Sequence, residues 1–360
     1  MKETNSLLNL KLVDKIIISS LWEEGLEEKE KINLNSTVIR FKLLSSRIKK
    51  FSAPIKYLEL ILKLFLYFRK EKIDFVNCHS LLVLVIGVLL KKFGNSKILI
   101  YDPHELETER VGLVGLPQKF TKWLEKILIN YVDKTIVVCD PIAEWYKREY
   151  NLNNIYVIQN MPLQTNLSEA KSTLLKDKFK IAKDDILYIY QGILAKERGI
   201  DVLLNTFANA QKNRHIVFMG FGAMENDIKL MSVSQSNIHF QPAVHLEKII
   251  EYSSSADIGI FFISGETCLS YRNSLPNKFG EFIMAKLPVL VSSNLTHLTK
   301  IVQENECGWS LNSEDTKQLI EFVNSTDNFV LEKIKIKVKD YKNSIGWEFE
   351  EKKYLKIYKN

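Results

Sequence analysis

The sequence predicts an α/β chain made of two Rossmann-like parallel-sheet domains facing across a cleft. Two observations carry this. Short apolar runs alternate with helical patterns in two consecutive series, one in each half, the signature of parallel strands joined by crossover helices. In addition, 360 residues with 46% apolar and 26% charged content are too many for one small core and too hydrophobic for a disordered chain. The expected organisation is an N-terminal domain over 1–163, a C-terminal domain over 164–344 and a closing helix over 345–360.

The chain opens with a helical pattern from Glu3 to Leu10 that leads into a strand, VDKIIISSLW. A doubly wound domain normally opens with a strand and a glycine-containing turn, so a first strand and its loop are expected to be missing ahead of this helix; an intact sheet starting at Asp14–Leu21 is the competing expectation. From Asp74 the first series reads as strand DFVNCHS, helix SLLVLVIGVLLKKFG, strand KILIYD, a helix near Gln118–Tyr131 and strand KTIVVCD. Asp140 then acts as a helix cap with Pro141 in the first turn, and a further strand, IYVIQN, follows. The polar stretch from Gln164 to about Lys178 reads as the connection between domains. The second series reads as strand ILYIYQG, a helix near Asp201–Gln211, strand HIVFMGFG, a helix after Ala223 and strand NIHF. It continues with a helix near His245–Ser253, strand DIGIFF, a helix ending near Ala285 and strand PVLVSS. Trp347, Tyr354 and Tyr358 sit at roughly helical spacing near the end, where core packing is their expected role.

The charge balance is 50 Lys plus Arg against 43 Asp plus Glu, a formal +7 spread along the chain, which suits anionic ligands or membrane surfaces and equally plain solubility. Cys78, Cys139, Cys268 and Cys307 form no CxxC pair, so neither a zinc site nor a disulfide framework is signalled. The N-terminus lacks the apolar core of a signal peptide, and Leu81–Leu90 is too short to span a bilayer. The expected location is the cytoplasm, with a peripheral position at the inner face of the membrane as an extension of that reading. Basic residues do not interleave with aromatics along one stripe, which argues against nucleic acid as a partner. No G-x-G-x-x-G follows a strand, which argues against a dinucleotide-dependent dehydrogenase.

In open α/β sheets ligands bind beyond the carboxyl ends of the strands, so the residues after each strand are the ones to read for chemistry. After ILYIYQ come Gly192 and then Lys196 and Arg198, two cations ahead of a helix N-terminus, suited to a diphosphate or else to solvated surface positions. After HIVFM, Gly220 and Gly222 allow a tight turn and close ligand approach, or mark a plain strand-to-helix turn. In SYRNSLPNKFGEFIMAKLPVLVSS, Asn277 and Lys278 open a helix and Glu281 follows one turn later. Lysine and helix start can neutralise phosphate while the carboxylate accepts ribose hydroxyls. In the first half, Asp102, His104 and Glu105 follow the strand KILIY, where a histidine beside carboxylates suits proton transfer or sugar contact, though a lone histidine after a strand is more often structural.

These segments, GILAKERGIDVLL, HIVFMGFGAMENDI, SADIGIFF and above all LPNKFGEFIMAKLPVLVS, resemble the donor domain of the retaining glycosyltransferase family 4, of GT-B architecture and bacterial cell-surface polysaccharide type. Glu281 lies seven residues before Pro288, as in the family's E-A-M-A-x-G-x-P-V pattern. The resemblance implies a hexosyltransferase-like enzyme that uses a UDP-sugar or GDP-sugar as substrate and no cofactor; no Asp-x-Asp segment follows a strand of the second half, so no metal is expected. It implies ribose binding by Glu281, diphosphate binding by Arg198 and Lys278 with Lys196 as a candidate, and a nucleotide beside the Gly220 turn. The segment DPHELE resembles the family's D-x-H-E motif, which implies that His104 faces the donor sugar and Glu105 supports the acceptor side. Asn160 resembles the asparagine that ends the family's first domain. Two positions depart from the family: Ile193 stands where many members carry Arg, and Asn273, eight residues before Glu281, stands where many carry the glutamate that meets the donor sugar.

The acceptor expected from SSRIKKFSAPIKYLELILKLFLYFRK is a lipid-linked or cell-envelope glycan, since lysines flanking an amphipathic helix can hold a protein to anionic headgroups; a sheet-covering helix with a solvated basic end fits the same residues. The competing functions are a non-catalytic sugar-nucleotide-binding protein or partner subunit, and a nucleotide-sugar epimerase or hydrolase.

Overall fold

A computed structural model describes residues 2–47, 53–164, 172–263 and 268–359. Backbone contacts divide the chain into two compact units, Met1–Ile158 with Glu350–Asn360, and Gln159–Phe349.

The second unit is built on one parallel sheet. Its strands are β8 (Ile186–Ile193), β9 (Arg214–Phe221), β10 (Ile238–Pro242), β11 (Ile258–Phe261), β12 (Val289–Ser292) and β13 (Gly308–Leu311), in spatial order β10-β9-β8-β11-β12-β13. Numbered within the unit this is 3-2-1-4-5-6, the order of a doubly wound sheet, whose direction reverses between β8 and β11. Neighbouring strands are parallel throughout. The run ILYIY explains why β8 is central. Leu187 and Ile189 enter the core on one face with Phe279, Phe282 and Val289, while Ile186, Tyr188 and Tyr190 enter the other with Ile200, Phe207 and Phe218. A strand buried on both faces has no need of polar alternation, which is why it reads as a continuous apolar run. Each such side chain contributes about 1.5–3 kcal/mol by leaving water.

The first unit holds two smaller sheets. In one, β1 (Ile16–Leu21) pairs in parallel with β3 (Ser36–Phe41), and β2 (Lys29–Lys31) joins β3 antiparallel. The other is parallel, in the order β4 (Lys72–Cys78), β5 (Asn95–Tyr101), β6 (Lys134–Val137) and β7 (Ile155–Val157). The helix Leu81–Phe93 crosses from β4 to β5, and Gly87 lets it lie close: a Cβ there would sit 2.5 Å from Leu99 Cδ1 and 2.6 Å from Cys78 Sγ.

Several local expectations shift. The helix expected near Gln118–Tyr131 runs Gly115–Ile129. The cap of the helix Asp140–Tyr150 falls on Cys139 rather than Asp140, with no side-chain cap bond; Asp140 lies in the first turn, where its charge still favours the helix dipole. The pattern near His245–Ser253 forms a 3-10 turn, Leu246–Lys248, and then the helix Ile249–Ser253. The end of the chain is not one closing helix. Trp347–Glu350, a 3-10 turn at Glu351–Lys353 and Tyr354–Tyr358 follow each other, and the break between the two units falls inside this segment. Of the stretch expected as a linker, 165–171 lies outside the described residues, and its end forms the helix Leu174–Phe179 of the second unit. Residues 48–52 of the basic segment before the helix Ala53–Phe68 lie outside them as well.

Candidate active site

The residues expected to act fall in two groups, one in each unit. In the second unit they gather at the carboxyl end of β8, beside the point where the strand order reverses, where a doubly wound sheet leaves a crevice for ligand. Gly192, near the end of β8, has φ +120°, and a Cβ there would lie 2.2 Å from the Lys278 ammonium. The positive φ favours glycine here, and its missing side chain leaves the space that the end of Lys278 occupies. Gly220 pairs with Gly192 one residue before the end of the β8–β9 ladder, and a Cβ would meet the Gly192 carbonyl oxygen at 1.8 Å. Gly222 likewise faces the Leu194 carbonyl, at 2.4 Å. These glycines thus have a packing reason in the chain itself, and together they leave the strand ends as bare backbone.

Lys278 is the second residue of the helix Asn277–Met284, and its ammonium lies 5.9 Å from the Tyr190 ring centre and 5.8 Å from that of Phe261. Burial among these rings pulls its pKa down to about 8; the nearby positive charge of Arg198 acts in the same direction and Glu281 opposes it. A lysine held this way gains from a polyanion that would restore its preference for charge. Arg198 ends the turn Lys196–Arg198 that follows β8; its guanidinium lies 5.3 Å from the Tyr271 ring centre and donates to the Tyr271 hydroxyl at 3.3 Å. Lys196 is exposed at the start of the same turn. Glu281, one turn into the helix, accepts a 2.5 Å hydrogen bond from the Gln191 amide. The Gln191 carbonyl in turn accepts from the Ser253 hydroxyl at 2.6 Å, so the carboxylate is oriented by a chain of side chains fixed to β8.

Gln191 and Ser253 are contributors that the sequence reading missed. Gln191 was readable as the one polar residue inside an apolar strand, whereas Ser253 carries no sequence signal. Asn277 is exposed at the helix start. Asn273 caps the short helix Leu269–Arg272 through its backbone, and residues 264–267 just ahead of that helix lie outside the described ones.

In the first unit the site forms where β4 and β5 end side by side, with Cys78 paired to Tyr101. His79 and Asp102 are the next residues of each strand. Their side chains meet at 3.2 Å, Nδ1 to carboxylate, and the His79 ring stacks on His104 with centres 5.3 Å apart and planes 7° from parallel. The helix Lys2–Asn9 adds Glu3, which accepts from the Asn77 amide at 2.8 Å and lies 3.9 Å from His79 Nε2. Burial and the negative charge of Asp102 push the Glu3 carboxyl up to about 7, against His79 and Asn77, which favour its charged form. Burial disfavours charge on His79 as well, but its hydrogen bond and charge attraction to Asp102, with Glu3 adding, hold its pKa above the ordinary value. Glu105 pairs with Arg110 at 3.0 Å, and the same guanidinium holds Glu107 at 2.7 Å. His79 was missed in the sequence although it obeys the rule that found His104: it directly follows a strand.

His79, Asp102 and His104 also have ligand atoms within 4.8 Å of one another, a donor set compatible with a divalent ion. Nearly parallel rings do not aim two nitrogen lone pairs at one point unless a ring turns.

Against known proteins, residues 185–326 match the family described as Glycosyl transferases group 1, and residues 16–161 match the one described as Glycosyltransferase Family 4. The chain is 23% identical over 295 residues to the capsular polysaccharide biosynthesis glycosyltransferase CapM of Staphylococcus aureus, a match over 78% of this chain and 74% of that one. Among solved structures it resembles sucrose-phosphate synthase from Thermosynechococcus elongatus, with TM-score 0.72 and 14% identity over 98% of this chain and 92% of that one. It also resembles Anabaena HepE in complex with UDP-glucose, with TM-score 0.64 and 11% identity over 89% and 85%.

Proposed function

We propose that the chain, a glycosyltransferase of the GT-B fold, is of the family 4 type and moves a sugar from a UDP-sugar or GDP-sugar to a lipid-linked or cell-envelope glycan, with retention of configuration and without a metal. The observation that carries the donor half of this reading is Lys278. It is partly neutralised by burial, lies across Gly192 beside Arg198, and heads the helix that presents Glu281. Arg198, Lys278 and the helix start receive the diphosphate as it departs, and fixed charge at a developing anion is the kind of stabilisation that lowers a barrier by several kcal/mol. Glu281, oriented by Gln191, takes the ribose hydroxyls. Gly192, Gly220 and Gly222 give the nucleotide room at the strand ends, Lys196 adds charge at the mouth of the site, Asn277 opens the helix beside Lys278, and Asn273 stands at the position tied to the donor sugar. In the first unit His104, braced by His79 and Asp102, faces the donor sugar, and Glu105 supports the acceptor.

The capsular-polysaccharide role of CapM supports a cell-surface glycan as acceptor. No helix among the described residues is long and apolar enough to cross a membrane, so a cytoplasmic enzyme that meets a lipid-linked acceptor would do so peripherally, with the helix Ala53–Phe68 as one contact.

The test is thermal unfolding with UDP, GDP, ADP and CMP, on the wild type and on Glu281→Ala, followed by transfer assays with and without EDTA. A ligand that binds only the native state raises its stability. One nucleoside diphosphate should stabilise the wild type and not the variant, and transfer should survive EDTA. No stabilisation by any nucleotide defeats the donor-site reading. Stabilisation without turnover for any acceptor replaces it with a non-catalytic nucleotide-binding role.

A further inference from the structure

Two histidines and an aspartate stand together where β4 and β5 end. His79 Nδ1 and the Asp102 carboxylate are 3.2 Å apart, close to the edge of a zinc tetrahedron, since bonds of about 2.0–2.1 Å at tetrahedral angles put neighbouring ligand atoms about 3.3 Å from each other. His104 supplies a third donor, and one ligand atom from each of the three residues lies within 4.8 Å of the others. Pro103 stands between Asp102 and His104, and its fixed φ limits how far these two donors can drift apart.

Closing this arrangement onto one ion takes a turn of one ring. His104 is exposed, and the torsion that carries an imidazole has broad wells, so the ring can swing a nitrogen toward Asp102 while His79 stays on its strand end. The outer side of His79 supplies a second observation. A histidine that ligates a metal through one nitrogen usually donates from the other to a carboxylate, which fixes its ring and tautomer. Here Nε2 of His79 lies 3.9 Å from the Glu3 carboxylate, a small tilt from a hydrogen bond, and the Asn77 amide holds Glu3 at 2.8 Å. Charge points the same way. Asp102 is buried and Glu3 half-buried, and among the described residues the ion pairs of both go to His79 rather than to a lysine or arginine. A divalent cation would balance the two carboxylates.

We propose that His79, Asp102 and His104 form a binding site for a zinc ion, with Glu3 behind His79 and water completing the coordination. Two imidazoles and one carboxylate suit zinc and the later first-row metals, whereas magnesium and calcium take shells of oxygen. The ion acts in this scheme as an inhibitor and not as a cofactor. It takes the His104 nitrogen that the proposed transfer needs, so transfer runs without a metal and stops when the site fills. This second half rests on the glycosyltransferase reading given above; the ion site itself does not.

The experiment is calorimetric titration of the full chain, freed of metal with EDTA and then of the chelator, with zinc chloride and with magnesium chloride for comparison. The variants are His79→Gln, His104→Gln, Glu3→Gln and, as a control on an exposed histidine elsewhere, His245→Gln. Thermal unfolding in EDTA reports on the fold of each. The wild type and the control are expected to bind one zinc ion per chain and no magnesium. His79→Gln and His104→Gln should each weaken zinc binding by more than about tenfold, and Glu3→Gln by about tenfold, with a cooperative unfolding transition kept. Absence of wild-type binding, or equal binding by the His79 and His104 variants, overturns the site. The inhibitory half is read from release of nucleoside diphosphate from a UDP-sugar or GDP-sugar at buffered free zinc. Turnover should fall over the range in which the site fills and return with EDTA, and full turnover at saturating zinc overturns that half alone. A chain with no turnover under any condition defeats the glycosyltransferase reading and the inhibitory half with it, while calorimetry still decides the ion site.

Discussion

The two units hold their candidate functional side chains in different ways. In the second, every residue from Ile186 to Tyr190 is buried to 1% exposure or less, and the site residues are the continuations of that packed strand and of the helix Asn277–Met284, which lies in the same core. In the first unit packing is uneven: β1 exposes Ile17 and Leu21 and only Cys78 of β4 is buried, whereas the end of β5, Leu99–Tyr101, and the whole of β6 are buried. There the site is held by its own polar pairs, Glu3 to Asn77, His79 to Asp102, and Glu105 to Arg110. In the second unit the hydrogen bonds that orient Glu281 rest on a strand packed on both faces, whereas in the first a larger share of the positioning falls to charge and hydrogen bonds between site residues. A polar network of that kind depends on every member being satisfied, so it should respond to pH and to neutral substitution where a packed site does not.

The largest effect should come from breaking the packed site. Lys278→Met, or Arg198→Ala, is expected to lower kcat/KM for transfer by about 10²–10³, the usual cost of one group that stabilises a departing anion. Because the Lys278 ammonium is held against its preference by burial, its replacement by methionine should keep or raise the unfolding temperature. Loss of activity and of stability together would make it a structural residue. On the other side of the comparison, His104→Ala should lower kcat by about 10–100-fold and leave the stabilisation by nucleotide intact, since His104 stacks on His79 of the first unit and the proposed nucleotide contacts lie in the second. A variant that lost nucleotide binding would break the division of labour between the units.

A smaller effect sharpens the same contrast through pH. With a pKa near 8 in the free protein against an ordinary 10.5, Lys278 is charged below that value and mostly neutral above it. A diphosphate binds the charged form, so binding takes up protons and donor affinity should fall by up to about tenfold between pH 7 and 9. Calorimetry in buffers of different ionisation enthalpy would count the protons, and Lys278→Met should flatten the curve. A flat profile in the wild type would mean that the ammonium does not face the ligand.

How much of this was legible in the sequence follows from the same contrast. The strands of the second unit announce themselves as continuous apolar runs, because burial on both faces demands that pattern, and the site residues follow them at readable positions. β13, with the short run GWSL half-buried, was missed, as were β2 and β3, whose mix of charged and apolar residues reflects the open faces of their sheet. Glu281 and Lys278 could be read because a helix start after a loop has a recognisable composition. Gln191, Ser253, His79 and Glu3 could not be assembled from the sequence, since each matters through a partner 62 to 90 residues away in the chain in the case of Gln191, and 74 residues away in the case of Glu3.

The smallest effect tests whether the first unit's network is under electrostatic load. Glu3 has a pKa of about 7 in the folded chain against 4.5 for an unperturbed glutamate, so between those values the folded state holds a proton that the unfolded state has lost. Stability must then fall as pH rises from about 4.5 to 7 and level off above, the reverse of a salt-bridged carboxylate. The His79 contribution has the same sign at higher pH, because its folded pKa is raised and the stability it adds is lost as pH climbs through that value. Glu3→Gln keeps the shape and a hydrogen-bonding group while removing the titration. It should therefore leave stability near pH 4 unchanged and raise it at pH 8 by on the order of 1 to 3 kcal/mol. Chemical denaturation across that range checks this. A variant destabilised at pH 8 would show that ionised Glu3 is a favourable partner of His79, and that the network is a settled ion pair whose charges are well matched.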